Sequence, residues 1–231
     1  DWTRTNLRYT LPDRSEALRF DIADFAAYDI YVLARSGAEH DYPSDVVARA
    51  EAYYQSLDQA AIDALERNII AGLPGGEGAY DRAGIRAAVD HFNQFDNDSY
   101  RANLIAFLKA ITPAAESAGV RMVIHPDDPP FSLFGLPRVV STAEDVRKLR
   151  AAVASASNGL TLCAGSFGAR GDNDLVGMVR EFGEHIHFVH LRNIRREADG
   201  SFYESAHLDG DNDIVGLVSA LLDLELAAGA E

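Results

Sequence analysis

A chain of 231 residues, 47% of them hydrophobic, can bury the core of one large domain or two small ones. Its 36 acidic and 21 basic side chains give a net charge of −15, which argues against nucleic acid and anionic membranes as partners, because phosphate binding rests on Lys and Arg. A small acidic substrate is still compatible with this charge, since it needs only a local basic pocket.

The first 119 residues read as an N-terminal arm followed by a helical insertion. Residues 1–43 show little periodicity and are expected to be extended or irregular. One helix is predicted from Ser44, its N-cap, as far as Gly72. The glycine-rich stretch 72–78 lacks the Lys-Ser/Thr of a phosphate-binding loop, so we expect a plain loop there. A second helix follows at about 98–118, with a kink predicted at Pro113.

From Val120 the pattern changes to short apolar strands that alternate with helices. The strands are predicted at 120–125, 159–163 and 185–190, and the helices from Ser141, at about 173–182 and at about 213–226. Ser141 and Glu144 together predict a capping box at the start of the first of these helices. The alternation indicates βαβ units with a parallel sheet, in either a barrel or a doubly wound fold.

His125, Cys163 and His190 each take the last position of a predicted strand. Neighbouring parallel strands lie about 4.8 Å apart, so side chains at three adjacent strand ends can converge on one ion. Imidazole and thiolate donors suit Zn, Fe or Co, and three protein ligands are typical of a catalytic site. Because barrel enzymes carry their functional residues at strand carboxyl ends, the pattern favours a barrel. His185 and His187 are expected to be structural or exposed.

Further candidates follow these strand ends. Asp127 and Asp128 lie in a proline-rich turn, where they could either orient a ligand imidazole or cap the turn. Arg192 comes just after His190, and its guanidinium suits bidentate pairing with a substrate carboxylate. A polar cluster precedes the last helix and comprises Glu204, His207 and Asp211.

The single cysteine, Cys163, excludes an intrachain disulfide and fits a reducing compartment, so we expect a cytoplasmic protein. No apolar run approaches the ~18 residues of a transmembrane helix. The chain opens without Met and stops directly after a helical pattern, so we expect an excerpt of a longer protein.

Several motifs, in order along the chain, resemble those of the D-mannonate dehydratase family. They are His125-Pro-Asp-Asp-Pro-Pro, Phe134-Gly-Leu-Pro-Arg138, Cys163-Ala-Gly-Ser166, Asp172-Asn-Asp-Leu175, His190-Leu-Arg192 and His207-Leu-Asp-Gly-Asp211, preceded by Asp1-Trp-Thr-Arg4. The resemblance implies a partial α/β (β/α)₈ TIM barrel of the xylose-isomerase type, with strands five to seven present. The chain would then be a single incomplete domain, with the arm and insertion at 1–119 and three βα units at 120–231.

The resemblance also implies dehydration of D-mannonate to 2-dehydro-3-deoxy-D-gluconate. Its metal would be Fe(II) or Mn(II), with Zn(II) also compatible with the donors, and its ligands would include His125, Cys163 and His190. The family's Pro-Asp-His-Gly stretch, which carries an Asp ligand, has no counterpart before Glu231. We therefore expect an incomplete metal shell and an incomplete set of acid and base groups in this chain.

The remaining roles are assigned as expectations. Substrate binding is predicted for Arg192, Asn193, Asp128 and Ser166, and proton transfer for His207, Asp127 and Tyr203. The partner is expected to be a small sugar acid, and a homo-oligomer is expected because the 44–118 insertion is large enough for a subunit contact. Two rival functions are a metal-dependent sugar isomerase or epimerase on the same barrel, and a binding protein with a lost or structural metal site. A thiolate ligand counts against the isomerase, because such enzymes ring their metals with Glu and Asp.

Overall fold

The computed structural model describes residues 3–71, 81–227 and 229, which form two compact units. Unit 1 consists of Asp1–Gln94, Ser132–Pro137 and Arg196–Glu204, and unit 2 consists of Phe95–Phe131, Arg138–Arg195 and Ser205–Glu231. The predicted glycine-rich loop at 72–78 lies outside the described residues. Within the described ranges, no helix is both long and apolar enough to cross a membrane.

The described residues contain both strands and helices, which alternate from Met122 to His190. The strands are β1 (Asn6–Thr10), β2 (Glu16–Phe20), β3 (Met122–Ile124), β4 (Asn158–Cys163), β5 (Ile186–His190), β6 (Asn193–Arg196) and β7 (Phe202–Ser205). The helices are α1 (Ile22–Ala27), α2 (Ser44–Ser56), α3 (Gln59–Ala71), α4 (Arg82–Phe92), α5 (Asn97–Ser117), α6 (Ala143–Ala152), α7 (Ala164–Phe167), α8 (Leu175–Phe182) and α9 (Ile214–Ala227). The chain is thus an α/β protein, as predicted.

The N-terminal arm, predicted as extended or irregular, contains two extended strands, and the helical segments that follow them were not predicted. Strands β1 and β2 form an antiparallel hairpin, and β2 pairs antiparallel with β7 through Phe20 and Phe202. The turn closes because the Asp13 carboxylate accepts hydrogen bonds from the backbone and hydroxyl of Ser15. After the hairpin, α1 continues into one turn of π-helix at Tyr28–Val32. Short strands with few alternating residues gave too weak a periodic signal for prediction.

The single helix predicted from Ser44 is two helices, α2 and α3. Helix α2 ends before Leu57, whose backbone is extended, and Asp58 then accepts a hydrogen bond from the Ala61 backbone to begin α3. Helix α4 was not predicted at all; it begins after Asp81, which caps the Gly84 backbone N–H. Both breaks follow from Asp side chains that satisfy the unpaired N–H groups of a helix start.

In unit 2, β3, β4 and β5 form a parallel sheet with β4 in the centre. Helices α8 and α9 pack against each other, and they enclose a core of buried side chains that includes Leu160, Leu162, Phe167, Val179 and Leu217. The order β3, α6, β4, α8 and β5 matches the predicted βαβ pattern, whereas β6 follows β5 directly and was not predicted. Helix α5 contains Pro113 and continues to Ser117.

Helix α6 has its N-cap at Thr142, one residue after the predicted Ser141. The Thr142 hydroxyl accepts from the Asp145 backbone N–H, and the Asp145 carboxylate accepts from Thr142, which completes the capping box. Ser141 instead donates its hydroxyl proton to Asp127. The capping box predicted from Ser141 and Glu144 is therefore wrong by one residue, because Asp at the third helical position serves as well as Glu.

The pairing of β4 with β5 contains a β-bulge. Leu160 lies opposite Ile186 and Thr161 lies opposite Phe188, so His187 is one extra residue on β5. Its Nε2 atom lies 2.8 Å from the Ala156 carbonyl oxygen. A β carbon at Gly159 would approach this Nε2 to 2.8 Å, so the bulge requires glycine there. After the bulge, Cys163 lies opposite His190.

Candidate metal centre

Three adjacent strand ends deliver the predicted ligands. Cys163 is the last residue of β4 and His190 the last of β5, as predicted. His125 lies one residue beyond β3, which ends at Ile124, so its predicted place inside the strand is wrong by one position. Because the three strands are parallel neighbours, their ends meet at one edge of the sheet.

The ligand atoms of His125, Cys163 and His190 all lie within 4.8 Å of one another. Cys163 Sγ is 3.5 Å from His190 Nδ1. His125 Nδ1 is 2.7 Å from the Pro126 carbonyl oxygen, and a carbonyl can only accept, so in the neutral imidazole Nδ1 carries the proton and Nε2 keeps its lone pair. The thiol is buried and both imidazoles are exposed, so solute can reach the cluster from the imidazole side.

The electrostatics of the cluster favour the ligand form of the cysteine. Burial raises the pKa of Cys163, but hydrogen bonds from His125 and Ser166 and the charge of Arg192 outweigh burial, so that its pKa lies below the ordinary value. The hydrogen bond with Cys163 raises the pKa of His125 against the opposing effect of burial. Thiolate is the metal-binding form of cysteine, and two imidazoles with one thiolate suit a borderline divalent metal. The residues present therefore fit a metal ion.

Beside the cluster, three of the predicted substrate-binding residues contact one another. Asp128 Oδ2 accepts from Arg192 Nη2 at 2.6 Å and from the Ser166 hydroxyl at 2.7 Å. Ser166 Oγ also lies 3.0 Å from Cys163 Sγ. The Asp128 and Arg192 side chains are only 4% and 10% exposed, so this ion pair is shielded from water. The four side chains form one continuous polar chain that ends on the sulfur.

The Asp127 carboxylate hydrogen-bonds to the residues that precede α6. Its Oδ2 accepts from the Val140 backbone N–H at 2.7 Å and from the Ser141 hydroxyl at 2.9 Å. Arg138 Nη1 lies 3.9 Å from Oδ1. These contacts correspond to the turn-capping role, one of the two alternatives that the sequence left open for Asp127. They involve the same carboxylate for which proton transfer is predicted.

Asn193 is buried, with 2% exposure, and its amide is fully engaged inside unit 2. Its Nδ2 donates to the carbonyls of His207 and Asn212, and its Oδ1 accepts from the backbone of Ile194 and Asn212. These four hydrogen bonds complete the capacity of an amide side chain. These hydrogen bonds anchor the loop before α9, and the substrate contact predicted for Asn193 stays a prediction.

His207 lies on that anchored loop, with its side chain exposed. The loop and the start of α9 line a shallow pocket of about 290 Å³, formed by His207, Leu208, Gly210, Asp211, Asn212, Asp213, Ile214 and Val215. Asn212 also donates from Nδ2 to the Ala164 carbonyl at 3.0 Å, directly after Cys163. Sequence reasoning missed Asn212, although its place beside Asp211 in a polar motif was visible.

Tyr203 belongs to unit 1, on β7. Its ring centroid lies 5.3 Å from that of Tyr9, and the Arg19 guanidinium lies 4.6 Å from the Tyr9 centroid. Arg19 in turn pairs with both carboxylate oxygens of Glu197. The structure thus places Tyr203 in an aromatic and cationic stack within unit 1, and the proton transfer predicted for it stays a prediction.

Comparison with known proteins bears directly on this arrangement. A model of the D-mannonate dehydratase (UxuA) family matches residues 1–228. The chain belongs to the D-mannonate dehydratase family. This agrees with the resemblance seen in the six motifs. Curated members of the family are similar over 96% of the chain: mannonate dehydratase of Saccharophagus degradans at 65% identity and mannonate dehydratase 2 of Agrobacterium fabrum at 53%.

A crystal structure of mannonate dehydratase from Streptococcus suis serotype 2 has the same fold over 97% of this chain, with a TM-score of 0.67 and 31% identity. The chain spans about half the length of these family members, 56% of each of the two curated relatives and 51% of the solved chain.

Proposed function

We propose that the protein containing this chain is a metal-dependent hydro-lyase that dehydrates D-mannonate to 2-dehydro-3-deoxy-D-gluconate. The observation that carries the proposal is the convergence of His125, Cys163 and His190, with all ligand atoms within 4.8 Å at three adjacent strand ends. Membership of the D-mannonate dehydratase family supplies the substrate class.

His125, Cys163 and His190 would hold the metal, which we propose to be Fe(II) or Mn(II) as the family resemblance implies. A bound divalent metal supplies a Lewis acid for the negative charge that develops when the proton next to the substrate carboxylate is removed. The Pro126 carbonyl keeps the His125 proton on Nδ1, which leaves Nε2 as the donor atom. Burial of Cys163 keeps competing water away from the sulfur.

The substrate is a polyhydroxy carboxylate, so its recognition calls for a cation and hydrogen-bond acceptors. Arg192 supplies the cation for the substrate carboxylate. Asp128 Oδ1 is buried and, within the described part of the chain, accepts no hydrogen bond, so it suits a substrate hydroxyl. His207 is the candidate base or acid with an exposed imidazole, whereas Asp127 and Tyr203 are engaged in contacts of their own.

We further propose that β3, β4 and β5 are consecutive strands of a TIM barrel, with the cluster at its carboxyl-end face. The parallel order, the packed α8 and α9, and the placement of ligands after strand ends all support this architecture. The division of the barrel into an arm with insertion at 1–119 and βα units at 120–231, a cytoplasmic location and a homo-oligomeric state stay predictions.

The test is an assay of the full-length protein with D-mannonate for a 2-keto-3-deoxy acid. Activity should vanish after chelation and return with Fe(II) or Mn(II). Cys163→Ala and His190→Ala should each lower kcat/KM by more than the roughly tenfold to hundredfold that loss of a ligand's hydrogen-bond partner costs. His40→Ala removes an exposed imidazole in unit 1 and serves as the matched control, with unchanged activity. A ketose product, or full activity in Cys163→Ala, would refute the proposal.

A further inference from the structure

Ser166 has one hydroxyl proton and two neighbours that can accept it. Asp128 Oδ2 is 2.7 Å away and Cys163 Sγ is 3.0 Å away. Only one of them can receive the proton at any moment. The carboxylate has a second donor, Arg192 Nη2 at 2.6 Å, so it stays paired when the hydroxyl turns to the sulfur. Among the described contacts, Ser166 supplies the hydroxyl within reach of the sulfur, beside the imidazoles that share the candidate metal site.

Because these groups are buried, loss of one hydrogen-bond partner would leave another polar group unpaired away from water, which is energetically unfavourable. Ser166 is fully buried, and the Asp128 and Arg192 side chains are 4% and 10% exposed. An unpaired carboxylate in such surroundings would compete strongly for the Ser166 proton, because buried charges need partners. Arg192 removes that competition by neutralising Asp128.

A second, independent feature shows that the fold makes room for this chain of contacts. The Arg192 side chain runs across Gly165, where a β carbon would come within 2.7 Å of its Cζ atom and collide with its Nε. Gly165 is part of α7, so its backbone is helical and does not itself demand glycine. The absence of a side chain at 165 therefore serves the passage of Arg192 beside Cys163 and Ser166.

We propose that Arg192, Asp128 and Ser166 act as a positioning chain that sets the orientation and electron density of the Cys163 sulfur as a metal ligand. This inference deepens the metal site proposed above and rests on it. Arg192 and Asp128 would thereby act on the metal through Ser166, in addition to any contact with substrate. Mutation of a group that hydrogen-bonds to a ligand imidazole or carboxylate typically lowers metal affinity or activity about tenfold to a hundredfold. We expect an effect of the same size for a group that hydrogen-bonds to a ligand thiolate.

The experiment uses the full-length protein with Co(II) as the probe and no substrate present. Co(II) bound through a thiolate gives a sulfur-to-metal charge-transfer absorption, and its dissociation constant is measured by competition with a chelator. Ser166→Ala should weaken Co(II) binding about tenfold to a hundredfold and shift the charge-transfer band. Asp128→Asn and Arg192→Lys should shift the same band, and each should add little in the Ser166→Ala background, because the chain acts as one unit.

Two controls separate this role from others. Glu181→Gln removes a carboxylate from an exposed ion pair with Arg147 in the same unit, and should leave affinity and spectrum unchanged. Thermal unfolding of each metal-free variant shows whether the fold is kept. If Arg192→Lys raised only KM for D-mannonate and left the Co(II) spectrum untouched, Arg192 would be a substrate group alone and the positioning chain would be refuted.

Failure of the two proposals can be told apart. A wild-type protein that bound Co(II) without a thiolate band would overturn the metal site, and this inference with it. A wild-type protein with the band, and a Ser166→Ala variant with the same band and affinity, would overturn the positioning chain and leave the metal site standing.

Discussion

At the scale of single residues, Gly165 is the position where the smallest change has the clearest expected effect. An added methyl group suits the helical backbone of α7 and would by itself stabilise the fold by about 0.4–1 kcal/mol through the unfolded chain. The same methyl group collides with the Arg192 side chain. Any loss of stability or metal affinity in Gly165→Ala therefore results from displacement of Arg192 and not from backbone strain.

We expect Gly165→Ala to weaken metal binding about tenfold, because Arg192 must leave Asp128 and free that carboxylate to compete for the Ser166 proton. Overpacking should also lower the free energy of unfolding by about 1–3 kcal/mol. Isothermal titration calorimetry with the metal measures the change in affinity. Urea unfolding of the metal-free protein measures the change in the free energy of unfolding. Gly177→Ala, in which the β carbon meets only the Asp174 side chain that caps α8, should leave metal affinity unchanged. Equal losses of affinity in both variants would contradict the role given to Gly165.

The convergence of His125, Cys163 and His190 could be predicted from the sequence because His and Cys at the ends of apolar strands are distinctive residue types in a restricted place. The partners of Asp128, Ser166 and Asn193 could not be predicted in this way. Polar residues after strand ends suit substrate, turn capping or loop anchoring equally well, and the choice depends on which side chains lie within about 3 Å. That distance is set by tertiary packing and leaves no periodic trace in the sequence.

At the scale of elements, the contact between α1 and α2 contains an unusual carboxyl group. Burial, and secondarily the charge of Asp21, raise the pKa of Asp24 to about 7, against the opposing charge of Arg19. On α2, burial and the charge of Asp24 raise the pKa of Tyr53 to about 12. Asp24 is therefore protonated in the folded protein at pH values where an unfolded chain would have lost the proton.

The sign of the pH effect follows from this difference. Asp24 ionises near pH 3.8 in the unfolded chain and near pH 7 in the folded one, so its contribution to stability is fully present below pH 3.8 and is lost as pH rises through 7. At pH 4, Asp24→Asn should have the same free energy of unfolding as the wild type. At pH 8, its free energy of unfolding should be higher than that of the wild type by on the order of 2 kcal/mol. Urea unfolding at the two pH values measures this. A wild type that gains on the variant between pH 4 and pH 8 would show that the folded pKa is not raised.

Elements with strong periodicity were predicted well, and elements defined by a cap or a turn were not. The three parallel strands and the helices α5, α8 and α9 follow from apolar repeats. The break between α2 and α3 depends on Asp58, and the start of α4 depends on Asp81; both residues lie in polar segments that also suit loops. The β1–β2 hairpin depends on the Asp13 turn and on pairing with β7, which lies about 180 residues away along the chain.

At the scale of the whole molecule, metal binding should raise the free energy of unfolding and the Tm of the protein. A metal that binds only the folded protein stabilises it by about 2.7 kcal/mol at a hundred times its dissociation constant. For a chain of this size, that corresponds to a rise in Tm of about 5–10 °C. Differential scanning calorimetry with increasing Mn(II) should show this rise, and Cys163→Ala should abolish it. A rise of equal size in Cys163→Ala would place the metal elsewhere.

The interleaving of the two units could not be predicted from the sequence. Unit 1 takes in Ser132–Pro137 and Arg196–Glu204, which are short segments without any change in composition. Phe134 shows the physical reason: its ring lies 4.7 Å from that of Phe25, a partner more than a hundred residues earlier. Such long-range contacts decide the unit to which a segment belongs.

The β-bulge on β5 means that the metal site depends on a count of residues as well as on their identity. His187 is the extra residue on β5: if these residues continued the register of Leu160 with Ile186 without a bulge, Val189 would lie opposite Cys163 and the imidazole of His190 would point to the other side of the sheet. Loss of His187 would remove the bulge and leave His190 opposite Cys163, whereas one residue added between Ile186 and His190 would carry His190 one position beyond the cysteine. Deletion of His187 should therefore preserve metal binding better than insertion of one residue between Ile186 and His190, which should resemble loss of His190 itself.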